Sequence, residues 1–129
     1  MILIDTSAWV EFLRGTDSLI CNRVDAALNG NIATCDPVRM ELLAGARDDR
    51  HLEDLRRLLA RATVLPTGSA DYEVAASLYR SCRRQGETVR KLIDCLIAAV
   101  AIRADLPLLQ ADDDFDVLAR HTPLQLAEV

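Results

Sequence analysis

The chain has 129 residues, 50% of them hydrophobic and 27% charged, a length and composition suited to one compact domain with a sizeable apolar core. Its net charge of -5 at pH 7 argues against a general basic surface for gripping nucleic acid, because such affinity rests on neutralising phosphates with Lys and Arg. No run of about 18 apolar residues marks a membrane span, and no basic and then apolar leader opens the chain, so a cytoplasmic protein without a membrane partner is expected.

The cysteines at 21, 35, 82 and 95 show neither CxxC pairing nor histidines at ligand spacing, and they read as buried reduced thiols. Of the 15 basic residues only Lys91 is a lysine. With one Trp, two Tyr and two Phe, base stacking on an aromatic platform is not expected.

The apolar opening Met1 to Ile4 reads as a short strand covered on both faces, ending at Asp5. Thr6 and Ser7 offer N-caps for an amphipathic helix, Ala8 to Leu13, that stops at Gly15. A second helix is expected over Ser18 to Leu28, then a strand over Asn31 to Cys35. Asp36-Pro37 reads as a cap followed by proline at the first helical position, opening a helix that ends at Gly45. A helix over Asp49 to Ala62, a strand over Thr63 to Leu65 and a helix over Ser69 to Arg84 follow. Leu92 to Ala104 is the most apolar helix, Pro107 to Gln110 a strand, Asp113 to Arg120 a short helix, and Pro123 to Leu126 a last edge strand. Strands separated by helices imply crossovers, an α/β class and a mainly parallel sheet of four or five strands flanked by helices.

Five acids, Asp5, Glu41, Asp94 and the pair Asp112 and Asp114, stand where chemistry is possible. Asp5 and the segment ADDDFD (residues 111 to 116) each follow an apolar strand, and in open parallel sheets ligands bind beyond the carboxyl ends of strands. Helix capping is the commoner role for Asp5 taken alone, and capping by Asp112 or Asp113 with acids in the first turn is the competing account of the segment. Asp94 is the only charge in LIDCLIAAVAI (92 to 102), where a lone carboxylate needs a partner, a hydrogen bond or a metal. Pairing with Arg90 or Lys91 is the competing account. Glu41 borders the apolar face of its helix. If one crevice collects these acids they repel each other unless a cation sits among them, and all-oxygen ligands select Mg²⁺ or Mn²⁺. Such a site suits phosphodiester hydrolysis. There is no Walker A, GxGxxG, GxSxG or HExxH pattern, and only His51 and His121 are present as histidine bases.

With these residues in place, the chain resembles the VapC-type PIN-domain ribonucleases, the toxin halves of bacterial toxin-antitoxin pairs. The likeness spans nearly the whole chain, read as one PIN domain over 1–129. It rests on ILIDTSAWVEFLRG at the start, MELLAG at 40 to 45, LIDCLIAAVAI at 92 to 102 and LLQADDDFDVLA at 108 to 119, in that order. The resemblance implies that Asp5, Glu41, Asp94 and Asp112 form an acidic pocket for Mg²⁺ or Mn²⁺, with Asp114 as the alternative fourth acid. Thr6, ahead of Ser7, matches the hydroxyl that supports the site. It also implies endonucleolytic cutting of structured RNA such as tRNA, a homodimer, and inhibition by a small VapB-like antitoxin that inserts a tail into the pocket. Arg83, Arg84, Arg90 and Lys91 are candidates for phosphate contacts, and Trp9, Val10 and Phe12 for a partner groove. The alternative is a PIN-fold module that binds RNA or protein without cutting.

Overall fold

The computed structural model describes all 129 residues. Four parallel strands, β1 (Ile2–Ile4), β2 (Ile32–Cys35), β3 (Thr63–Leu65) and β4 (Leu108–Leu109), lie in the order β3-β2-β1-β4. The central strand β1 pairs with β2 through Ile2↔Ile32 and Leu3↔Ala33, and with β4 through Leu3↔Leu108 and Ile4↔Leu109. All four residues of β2 are buried. Successive side chains on a strand point to opposite faces, so both faces of the sheet are covered.

Seven helices connect and cover the strands: α1 (Thr6–Arg14), α2 (Leu19–Ala27), α3 (Asp36–Ala44), α4 (Asp49–Leu59), α5 (Ser69–Arg84), α6 (Leu92–Ala104) and α7 (Asp113–His121). The chain lays down β1, β2 and β3 in one direction and then crosses back to place β4 on the other side of β1. The strand order therefore reverses between β1 and β4, which is where open α/β sheets form a ligand crevice. Helix α6 runs through the core, with every residue from Asp94 to Ala101 buried, and packs along α5.

Several local expectations change. Asp5 itself, not Thr6 or Ser7, caps α1: its backbone is extended and its side chain accepts the Ser7 amide. Gly15 ends that helix at φ 60°, a conformation that glycine adopts without a Cβ penalty. Asp36 is not a cap. It is the first residue of α3, Cys35 stands at the cap without a side-chain bond, and Pro37 follows inside the first turn, where its missing N–H costs nothing. Helix α4 stops at Leu59, because Arg61 and Ala62 bond back three residues to Leu58 and Leu59 in a tightened final turn. The last segment makes only one parallel bridge, Leu108↔Leu126, so the sheet has four strands and no fifth. Pro123 supplies no N–H, and Leu124 N donates to the Thr122 hydroxyl instead of to a strand.

All four cysteines are buried free thiols, and burial pushes Cys35 and Cys95 up to about 12. No helix is long and apolar enough to cross a membrane.

Candidate active site

The crevice between β1 and β4 is held together at its acidic end by Asp5 and Ser7. The Asp5 amide donates to Leu109 O at 2.9 Å, fixing the ends of the two strands to one another. Asp5 Oδ2 accepts from the Ser7 amide at 2.8 Å and from the Ser7 hydroxyl. That hydroxyl in turn accepts the Ala111 amide at 2.9 Å, so Ser7 joins the end of β1 to the loop after β4. One oxygen of Asp5 thus serves as a helix cap while Oδ1, fully buried, has no hydrogen-bond partner. Burial is the main reason its carboxyl is raised above the usual range, and the nearby charge of Glu41 adds to it.

Asp94 enters from the first turn of α6 and is 3% exposed. Burial, the Asp114 carboxylate beside it and the charge of Asp5 together push it to about 8. Its Oδ2 has no hydrogen-bond partner, and the nearest cation, Lys91 Nζ, lies 3.6 Å away. Asp94, Asp112 and Asp114 each offer an oxygen, and these three atoms lie within 4.8 Å of one another.

The two late acids differ in what holds them. Asp112 caps α7, its Oδ1 accepting the Asp114 amide at 2.9 Å, and both its oxygens also face cations: Arg90 Nη2 at 3.1 Å and Lys91 Nζ at 2.6 Å. Burial would raise it, but the Lys91 ammonium and the Asp114 amide outweigh burial and hold it below the usual range. Asp114 is turned inward, 2% exposed, and accepts the backbone amides of Arg90 at 3.0 Å and Lys91 at 3.1 Å. The Arg90 amide, the neighbouring Asp94 carboxyl, the Arg90 guanidinium and the Lys91 amide together overcome burial and lower it. Asp114 is thereby the anchor of the segment between α5 and α6.

Glu41 stands on α3 at the edge of the crevice, where Thr6 Oγ1 donates to its Oε1 at 2.8 Å. A cleft of about 450 Å³ starts at Thr6 and Glu41 and continues along α1 and α4 past Val10, Leu13 and His51.

Of the acids singled out from the sequence, Asp94, Asp112 and Asp114 are brought close together, while Asp5 and Glu41 lie outside that trio, near enough for the charge of Asp5 to act on Asp94 and that of Glu41 on Asp5, with Thr6 on Glu41. Ser7, ranked behind Thr6, contacts Asp5 directly; the adjacent hydroxyls serve different acids, which the pair of letters alone does not reveal. Arg90 and Lys91 are turned onto the acids rather than left free for phosphate. Arg83 and Arg84 are exposed without a carboxylate partner, Arg83 lying over the Tyr79 ring at 5.5 Å and Arg84 donating to the Ser81 hydroxyl. Trp9 is fully buried and meets Phe12 edge-on at 6.2 Å, so these two rings belong to the core and only Val10 of the three lines the cleft.

A four-stranded parallel sheet with acids converging at its switch point defines a class, and the sequence model of the PIN domain matches residues 2–121; the chain belongs to that family. It is 49% identical to Ribonuclease VapC11 of Mycobacterium tuberculosis strain H37Rv, over 98% of each chain. Among solved structures it is similar to VapBC-1 from nontypeable Haemophilus influenzae, with a TM-score of 0.78 at 20% identity, covering 99% of this chain and 98% of that one. It is also similar to VapBC-5 from Mycobacterium tuberculosis, a member of the VapBC family of toxin-antitoxin systems, with a TM-score of 0.67 at 26% identity, covering 99% and 98%.

Proposed function

We propose that this protein is a Mg²⁺- or Mn²⁺-dependent endoribonuclease of the cytoplasm, the toxin of a VapBC-type pair held in check by a VapB-like antitoxin. The observation that carries the metal reading is the pair of orphaned, fully buried carboxylate oxygens, Asp5 Oδ1 and Asp94 Oδ2, the second of them within the close trio of Asp94, Asp112 and Asp114. Buried unpaired acceptors are costly, and an all-oxygen set of this kind fits a hard divalent cation. Asp5, Asp94 and Asp112 would hold it, with Glu41 at the edge. When bound, such a cation supplies charge stabilisation for the scissile phosphate and lowers the pKa of the attacking water. The remaining work falls to the chain. Ser7 fixes the Asp5 carboxylate, and Asp114 holds the Arg90-Lys91 segment against the site. Thr6 fixes one oxygen of Glu41 and leaves Oε2 to accept a proton from water. The near-half identity to a protein named a ribonuclease makes RNA the substrate, with structured RNA such as tRNA the expected class.

The cleft running from Glu41 along α1 and α4 is the path we assign to the antitoxin tail. Val10 and Leu13 line it, and Thr6 and Glu41 form its end beside the crevice, so a bound segment is led to the edge of the acidic site. A homodimer completes the reading. Met40, Tyr72 and Leu92, each at least 60% exposed, line one apolar cleft between α3, α5 and α6, and a contiguous apolar patch of this kind marks an interface. Light scattering is expected to give the mass of two chains, and Leu92→Glu that of one; a monomeric wild type would refute the dimer.

The nuclease reading is tested with pure protein and structured RNAs, tRNA included, and by mapping 5′ ends of cellular RNAs after brief induction. Cutting is expected with Mg²⁺ or Mn²⁺, to cease in EDTA, to return on adding the metal, and to be blocked by co-purified antitoxin. RNA binding without cutting under every metal condition would favour the non-catalytic module instead.

A further inference from the structure

The only lysine of the chain lies inside the acid cluster. We propose that Lys91 is a tethered counter-ion of the active site: its ammonium spans Asp94 and Asp112 in the metal-free protein, competes with the divalent cation for them, and is displaced when the cation binds. This rests on the metal reading above.

The placement of the ammonium follows from the backbone. The Lys91 amide donates to Asp114 Oδ2 at 3.1 Å, and its carbonyl accepts the Asp94 amide at 3.1 Å as α6 begins. The root of the side chain is thus pinned between two of the acids. From there Nζ reaches Asp112 Oδ2 at 2.6 Å and stands 3.6 Å from Asp94 Oδ2, the buried oxygen with no hydrogen-bond partner. The head therefore bridges two of the three carboxylates whose oxygens lie within 4.8 Å of one another, the position where a bound cation would gain most.

The side chain is also able to leave. It is 51% exposed, on a flexible four-carbon stem with no other partner. An ammonium is a compact, strongly hydrated point charge, whereas a guanidinium grips carboxylates as a rigid fork. The neighbouring Arg90 shows the contrast: it takes Asp112 Oδ1 and Asp114 Oδ1 from the rim and leaves the Oδ2 oxygens to Lys91. Metal and lysine would thus contest the same two carboxylates while arginine holds the opposite edge.

The single lysine makes the displacement directly visible. Protein labelled with ¹³C at lysine Cε gives one lysine signal, which is expected to shift on Mg²⁺ addition along the same saturation curve as calorimetric binding. Lys91→Met is expected to bind Mn²⁺ roughly two- to fivefold more tightly than wild type, the upper part of the range for loss of a half-exposed ion pair. Arg56→Met, which removes one positive charge from the remote Arg56–Glu53 pair, is expected to change affinity less than twofold. Lys91→Arg, keeping the charge but adding the fork, is expected to bind Mn²⁺ more weakly than wild type. Without metal, Lys91→Met should melt below wild type at pH 8 and recover with Mn²⁺. Equal or weaker Mn²⁺ binding by Lys91→Met, or a lysine signal that stays put while wild type binds Mg²⁺, overturns the proposal and leaves the metal reading intact. Failure of both wild type and Lys91→Met to bind Mn²⁺ overturns the metal reading and this one with it.

Discussion

Asp94→Asn is expected to raise the melting temperature of the metal-free protein at pH 8 and to lower RNA cleavage by about a hundred- to a thousandfold, the scale of removing one preorganised electrostatic group from an active site. The two effects have one cause. Asp94 is 3% exposed among the apolar residues of α6, and burial, with Asp114 and Asp5 nearby, moves its pKa from 3.8 to about 8. A carboxyl whose folded pKa is raised favours folding only while it is protonated. Its contribution is complete below 3.8, declines through the window between the two values, and is lost once the pH passes about 8. Asparagine has the shape of the protonated acid and never ionises, so it escapes that decline. A gain of about 2 kcal/mol, or roughly 6–8 °C, is expected for a domain of this size. Metal reverses the order, since a ligand that binds only the folded state at a hundredfold its Kd adds about 2.7 kcal/mol, and the variant lacks the carboxylate that earns most of that binding. Calorimetric melting at pH 6 and pH 8, with and without MgCl₂, measures all four terms. A variant less stable than wild type at pH 8 in EDTA, or one that still cuts RNA, contradicts the account.

The same residue shows how far the sequence could be read. A single charge in an otherwise apolar helix conflicts with its surroundings, and that conflict was visible in eleven letters, LIDCLIAAVAI. The short strands were legible for a similar reason: runs such as Ile2–Ile4 and Ile32–Cys35 are apolar without alternation because both faces of the sheet are covered. Other features depended on contacts between distant segments. Asp5 looked like either a cap or a ligand, and it is a cap through Oδ2 with Oδ1 left over, a division that no spacing can express. Ser7 acquires its place only when the loop after β4 brings the Ala111 amide to it, 104 residues along the chain. Arg90 and Lys91 read as a free basic approach to the site, because the sequence does not show that Asp114 draws their amides inward and carries their side chains onto Asp112. The missing fifth strand is a matter of degree: Leu126 does pair with Leu108, but the single bridge does not extend into a ladder.

Asp112 and Asp114 could not be told apart by sequence, and their surroundings now give them opposite expected phenotypes. Asp114→Ala is expected to destabilise the metal-free protein by about 3 kcal/mol. It removes the only acceptor of two backbone amides, at 3.0 and 3.1 Å, in a site 2% exposed, and each buried donor left unpaired costs roughly 1–3 kcal/mol. The Arg90 guanidinium adds little to that sum, because its side chain is 68% exposed and water screens the pair. Asp112→Ala loses a helix cap, worth about 1 kcal/mol, together with ion pairs whose cationic heads are already half in solvent. It should therefore unfold close to wild type in urea with EDTA present, yet lose Mn²⁺ binding and cleavage, because its Oδ2, unlike either oxygen of Asp114, is held by no backbone amide. Urea midpoints paired with Mn²⁺ calorimetry on both variants separate the roles. If Asp114→Ala proves the milder in urea and the more damaging to Mn²⁺ affinity, the assignments must be exchanged: Asp114 would be the metal ligand, and the amides of Arg90 and Lys91 would be orienting a ligand rather than anchoring a loop.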